Sequence, residues 1–272
     1  MQRSFWRGIG TGLIWAIAST TSAFAHEFWL LPDNFTPQPE AQFTVDLRNG
    51  QQMKGVSLPY LPQSVARFEV IAKGAALPVV SRLGDIPALS MSAPSEGLVA
   101  VVHETTNNTV TYDSLAQFEQ FLTHKAASRL LATHGARGLP ESGFSETYRR
   151  YAKTLIGVGD GHGQDQAAGL RIEIVALANP YTDDLAAGLP LQVRLDGAPH
   201  AGAQIDLFAT APDGTVTETF FTTDAAGVAL VPAKPAHTYL ADSVAIYALS
   251  NDDAAAGPVW HSDWASLTYM VP

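Results

Sequence analysis

Eight histidines, twenty-six acidic residues and no cysteine define the ligand chemistry open to this 272-residue chain. His26 is the first candidate. It follows Ala23-Phe24-Ala25, the small-x-small pattern that a signal peptidase cuts after, so processing would leave a histidine as the first residue of the mature protein. That residue offers a free α-amino group and an imidazole nitrogen in one chelate. Their reference pKa values of about 8 and about 6.5 let a metal displace both protons near neutral pH. Nitrogen-rich ligand sets suit Cu(II) or Ni(II) better than Mg or Ca, which want oxygens. The plainer reading is that His26 is only the residue left at a cleavage site, with Phe28 and Trp29 packing as an edge strand.

Two further histidines complete the candidate metal set of His26, His103 and His261. His103 ends the apolar run Leu98–His103 beside Glu104, so a strand would fix its backbone while the ring reaches out of a sheet edge. A packed core histidine is the alternative. His261 lies in Trp260-His261-Ser262-Asp263-Trp264, where Asp263 would orient the ring and the tryptophans would shield it. Ordinary sheet packing or an exposed aromatic platform are the competing readings. His124 and His134 stand ten positions apart, without the three- or four-residue spacing that puts two ligands on one helix face, and are read as solvent-facing or packed. His162 lies in the Gly- and Asp-rich run Gly159–Gly163 and reads as part of a linker. No Gly-x-Ser-x-Gly elbow, His-Glu-x-x-His, Walker loop or Gly-x-Gly-x-x-Gly fingerprint is found, so no catalytic residue is assigned.

The elements that must carry these residues are mostly strands. Residues 26–112 give short alternating runs with proline-rich turns, such as Phe43, Val45 and Leu47, and predict an N-terminal β-sandwich domain. Residues 113–169 predict a helical segment and a flexible loop. A capping box at Ser114-Leu115-Ala116-Gln117 opens a helix stopped near Gly135, a second helix is expected from about Ser145 to Ile156, and Gly157–Gly169 reads as a linker. Residues 170–272 give about seven further short strands, as an Ig-like or transthyretin-like β-sandwich requires.

Residues 1–25 read as a cleavable leader: Arg3 and Arg7 precede a short apolar run, Gly8–Ile17, that is short for a membrane span. Removing them takes two arginines and no acid, so the formal charge moves from −10 to −12. The acidic charge argues against a nucleic-acid or anionic-membrane partner, the short apolar run with no second one argues against stable membrane insertion, and without cysteines stability must come from an apolar core.

The order and spacing of several modest motifs resemble the DUF4198 family. They are the Ala-His-x-x-Trp-Leu start, Tyr148-Arg-Arg-Tyr-Ala-Lys153, Leu170-Arg-Ile-Glu-Ile-Val175 with Asn179-Pro180-Tyr181, Gly197-Ala-Pro199, Thr223-Asp-Ala-Ala-Gly227 and Ala265-Ser-Leu-Thr-Tyr269. The resemblance implies a mostly β periplasmic protein grouped with nickel or cobalt uptake, a transition-metal ion as ligand and a membrane metal transporter as recipient. Copper enters from the ligand chemistry. Two other functions stay open: a copper-dependent oxidative enzyme built on the histidine chelate, and a non-catalytic carbohydrate-binding or adhesion module using Trp29, Trp260 and Trp264.

Overall fold

A computed structural model describes residues 26–272, so the leader and its cleavage site lie outside the described residues. The chain runs β1 (Glu27–Pro32), β2 (Gln42–Gln51), β3 (Lys54–Leu58), β4 (Val65–Ala72), β5 (Ala75–Pro78), β6 (Leu89–Ser92), β7 (Gly97–Thr105), β8 (Asn108–Tyr112), α1 (Leu115–His124), α2 (Arg129–Ala136) and β9 (Phe144–Val158). It continues with β10 (Ile172–Ala176), β11 (Leu189–Leu195), β12 (Ala198–Pro199), β13 (Gln204–Thr210), β14 (Val216–Thr222), β15 (Val228–Val231), β16 (His237–Ala248) and β17 (Trp260–Val271). The mostly β expectation holds, with two helices among the described residues. Neither is long and apolar enough to cross a membrane.

A nine-stranded sheet in the order β14-β13-β16-β17-β9-β7-β4-β5, with β8 also on β9, forms the middle layer. Strands from both expected β regions belong to it. They join where β17 pairs in parallel with β9, while the other pairings in the sheet are antiparallel. Side chains alternate between the two faces of a strand, and residues in register across strands share a face. On one face lie Phe68, Val70, Val99, Val101, Ala152 and Ile156. They pack against Phe28, Leu30, Phe43, Val45 and Leu47 of the small sheet β1-β2-β3 with β6. The helices cover the rest of that face, with Phe118, Phe121 and Leu122 against Trp260 and Trp264. On the opposite face Tyr151, Leu155, Leu207, Leu267 and Tyr269 pack against Ile172, Ile174, Leu191 and Val193 of the second small sheet, β10-β11-β12 with β15.

Three local expectations are corrected. The helix expected over Ser145–Ile156 is part of β9, a central strand whose residues from Tyr151 to Val158 are buried without a break. A strand covered on both faces reads as a near-continuous apolar run, which in a short window is easily matched to helical spacing. The helix expected to run to Gly135 breaks after His124, where Ala126 takes φ 52° and Lys125 turns inward; Gly135 lies inside α2, and Gly138 at φ 67° follows the true end. Gly157–Gly169 is not a loose linker. The His162 carbonyl accepts from Leu98 N at 2.8 Å, Asp165 pairs with Lys153, and Asn179 Nδ2 donates to the carbonyls of Gly161 and Gly163. The capping box forms: Ser114 Oγ accepts from Gln117 N, and Gln117 Oε1 accepts from Asp113 N.

Candidate functional site

One row of residues crosses the large sheet and organises its polar chemistry. Phe68, His103, Ala152, Ser266, Asp242, Asp206 and Phe220 are in register on successive strands, all on the face covered by β1 and the helices. Strand β1 lies over this row, with both of its own faces almost wholly buried. Phe28 and Leu30 join the core with Phe68 and Val101, while Trp29 packs on Phe208 and Leu240. Because β1 is covered on both sides, Glu27 and Trp29 are buried despite alternating with the apolar set.

At one end of the row sits His103, 2% exposed, on the wall of a cavity of about 260 Å³. Its ring lies between those of Phe28 and Phe68, with centroids 5.3 and 5.1 Å away. Neither ring nitrogen has a hydrogen-bond partner. Burial holds the imidazole neutral, with a pKa lowered to about 3. Arg150 also lines the cavity; its Nη1 donates to Asn49 Oδ1 at 3.0 Å and its Nη2 to the His26 carbonyl at 2.9 Å, while Nε is buried without a partner. The guanidinium stacks over Tyr148 at 4.9 Å and Phe28 at 5.8 Å. His26 itself is exposed and immediately precedes the β1–β2 pairing that begins at Glu27 and Gly50. His26 and His103 are therefore brought to the same side of the sheet, linked by the contacts His103–Phe28–Arg150–His26.

At the other end of the row, Lys125 Nζ donates to Asp206 Oδ2 at 2.5 Å and to Asp242 Oδ2 at 2.8 Å, all three side chains being nearly inaccessible. Burial works against the lysine charge, but the two carboxylates outweigh it and raise its pKa. Next to them, His124 Nε2 meets Glu218 Oε1 at 3.1 Å and its Nδ1 lies 3.9 Å from Asp206 Oδ2. Ligand atoms of His124, Asp206 and Glu218 all fall within 4.8 Å of one another. Glu27 is 5% exposed with one oxygen unpartnered; burial, with Asp242 adding to it, pushes its carboxyl up to about 7.

His261 belongs elsewhere. It lies on the opposite face of β17, where its Nε2 meets Asp263 Oδ1 at 3.0 Å and its ring packs on Tyr247. Asp263 also accepts from Tyr151 and Tyr247 and faces Arg171 Nε at 3.4 Å. Burial would raise this carboxyl, yet the bonds from His261 and Tyr247 hold it below its usual value. The expected role of Asp263 in orienting the ring is matched by the contact, but the sheet separates His261 from His26 and His103. His134 is packed as expected, accepting from Trp260 Nε1 and facing the Pro140 carbonyl. Trp29, Trp260 and Trp264 are all buried, so they form no exposed platform.

Sequence reasoning missed Arg150, Glu27 and the His124–Asp206–Glu218 group. His124 ends a helix, Asp206 alternates with the apolar Ile205 and Leu207, and Glu218 lies on the neighbouring strand β14; no local spacing joins them. The one available signal was Asp206 flanked by Ile205, Leu207 and Phe208, a run too apolar for a half-exposed strand.

The family model described as "Domain of unknown function (DUF4198)" matches residues 23–246, and the chain belongs to that family. No curated protein matches it. Among solved structures it is similar to the D0–D1 domain of intimin at 12% identity, covering 90% of this chain and 97% of that one with a TM-score of 0.24. A tetra-tandem repeat from the extending region of a large adhesion protein aligns at 10% identity, over 90% of this chain and 49% of that one, with a TM-score of 0.20. Likenesses this loose carry no function across.

Proposed function

We propose that this member of the DUF4198 family is an exported, periplasmic transition-metal-binding accessory protein whose metal is chelated by the α-amino group and imidazole of a processed N-terminal His26. Cleavage after Ala25 frees the amine, and the protein then presents the ion to a membrane transporter. Nickel or cobalt is the cargo implied by the family resemblance, and copper also fits two nitrogen donors.

The observation that carries this reading is the fixed main chain under an exposed His26. Arg150 holds its carbonyl, and strand pairing starts at the next residue, so the chelate would be displayed from a rigid strand end and not from a frayed tail. His103 and His261 are left out of this centre: Phe28 and Arg150 intervene before the first, and the whole sheet before the second.

Calorimetric titration of nickel, cobalt and copper into protein confirmed by mass to begin at His26, beside protein with one added alanine ahead of it, tests the reading. The added residue turns the amine into a peptide nitrogen and is expected to weaken binding at least tenfold. Equal binding by the two forms, or none by either, overturns it.

A second reading rests on the mutual proximity of His124, Asp206 and Glu218, one imidazole and two carboxylates with solvent access through a half-buried His124. Binding that survives the added alanine and is lost in His124→Ala would place the metal there.

A further inference from the structure

We propose that the cavity walled by His103 and Arg150 is a binding site for a small organic carboxylate with an apolar or aromatic body. The first argument is what the walls lack. Buried polar groups in folded proteins are almost always hydrogen-bonded, and leaving one unpaired costs about 1–3 kcal/mol. Here both nitrogens of His103 and the Nε of Arg150 are buried without partners, and both side chains line the same space. The three atoms lie behind the cavity wall, polar groups that the protein itself leaves unsatisfied.

The second argument is charge. Arg150 is the one formally charged side chain among the cavity-lining residues, and no acid lines the space. A guanidinium has five N–H groups, of which Asn49 and the His26 carbonyl take two, and planar forked recognition of a carboxylate is what the remaining ones suit. His103, held neutral by burial, adds no charge of its own to the wall. A single arginine favours a monoanion over a dianion or a phosphate, for which it offers too little charge.

The third argument is shape and surface. Phe28, Leu47, Leu58, Leu61, Val65 and Tyr148 supply apolar walls, with the Phe28 and Tyr148 rings close to the guanidinium. A cavity of roughly 150 Å³ accepts benzene, so about 260 Å³ accommodates a ring with a carboxyl substituent. Concave, mainly apolar space with a few convergent polar groups is the usual form of a small-molecule site. No metal takes part in this site, which shares only Arg150 with the His26 main chain.

Benzoate, hexanoate and the uncharged benzamide serve as probes, titrated into the mature full-length protein in the presence of a chelator and followed by calorimetry and ligand-observed NMR. Benzoate and hexanoate are expected to bind at least tenfold more tightly than benzamide. Arg150→Met should abolish that preference. Leu61→Trp, which fills the cavity while leaving Arg150 and His103 in place, should abolish binding with an unchanged circular dichroism spectrum. It therefore keeps the test decisive if Arg150→Met does not fold. Equal binding of benzoate and benzamide, no binding of any probe, or full binding by Leu61→Trp overturns the proposal.

Discussion

The two faces of the nine-stranded sheet are built from the same alternation but treat their polar groups differently. On the face over the second small sheet, Asp263 is met by His261, Tyr151, Tyr247 and Arg171, and Lys153 by Asp165. On the face under β1 and the helices, His103, Arg150, Glu27, Trp29, Ser266 and Thr268 all have buried polar atoms without partners. Among the described residues the Tyr269 hydroxyl is the exception on the satisfied face. A polar network completed by the protein itself fixes structure; one left incomplete is available to a ligand. Both proposed ligand sites lie on the β1 face, which also holds the completed pairing of Lys125 with Asp206 and Asp242.

The largest effect expected from breaking this contrast is at Lys125. Lys125→Met strands Asp206 and Asp242 as buried unpaired carboxylates and should destabilise the protein by about 3–5 kcal/mol in urea denaturation. A loss under about 1 kcal/mol would mean that water reaches both acids, against the burial described for them. Next is Asp263→Asn on the satisfied face. It removes the charge that four groups share and should cost about 2 kcal/mol while leaving metal and carboxylate binding unchanged. Altered ligand binding in that variant would erase the division between the faces.

His103→Phe should act in the opposite sense. It replaces a ring with two orphaned nitrogens, already held between Phe28 and Phe68, by an apolar ring of similar shape, and should stabilise by about 1 kcal/mol. A clear destabilisation would show that the imidazole is satisfied in solution. The pH dependence of stability tests the burial of the same face. The folded pKa of His103 is lowered, so the unfolded chain takes the proton first; its contribution is present above about 6.5 and is lost as the pH falls towards about 3. The folded pKa of Glu27 is raised, so its contribution has the other sign. It is present at low pH and is lost as the pH rises from the unfolded carboxylate range through about 7. Stability of Glu27→Gln relative to the parent should therefore increase from pH 4.5 to 7.5, and that of His103→Phe should increase as the pH is lowered over 6.5 to 4; flat differences would contradict the burial assigned to each.

Much of the strand pattern was legible in the sequence because half-buried strands such as Gln42–Gln51 and Leu189–Leu195 keep a clean alternation. The pattern fails where a strand is covered on both faces. Tyr151–Val158, Glu27–Leu30 and Ile205–Phe208 lose their period for that reason, and each carries polar residues that matter. His26 and His103 were identifiable as single residues, from a cleavage pattern and from the end of an apolar run. Their link through Phe28 and Arg150 was not, since it depends on β1 crossing β9. His124, Asp206 and Glu218 come together only through the inward turn at Lys125 and the register of β13 with β14.

The most direct test of the central claim is where a metal sits. Crystals of protein beginning at His26, grown with nickel and examined for anomalous scattering, should show a peak about 2 Å from both the His26 amine nitrogen and one of its ring nitrogens. A peak at His124, Asp206 and Glu218 alone, or at His261 on the opposite face, would contradict the N-terminal chelate.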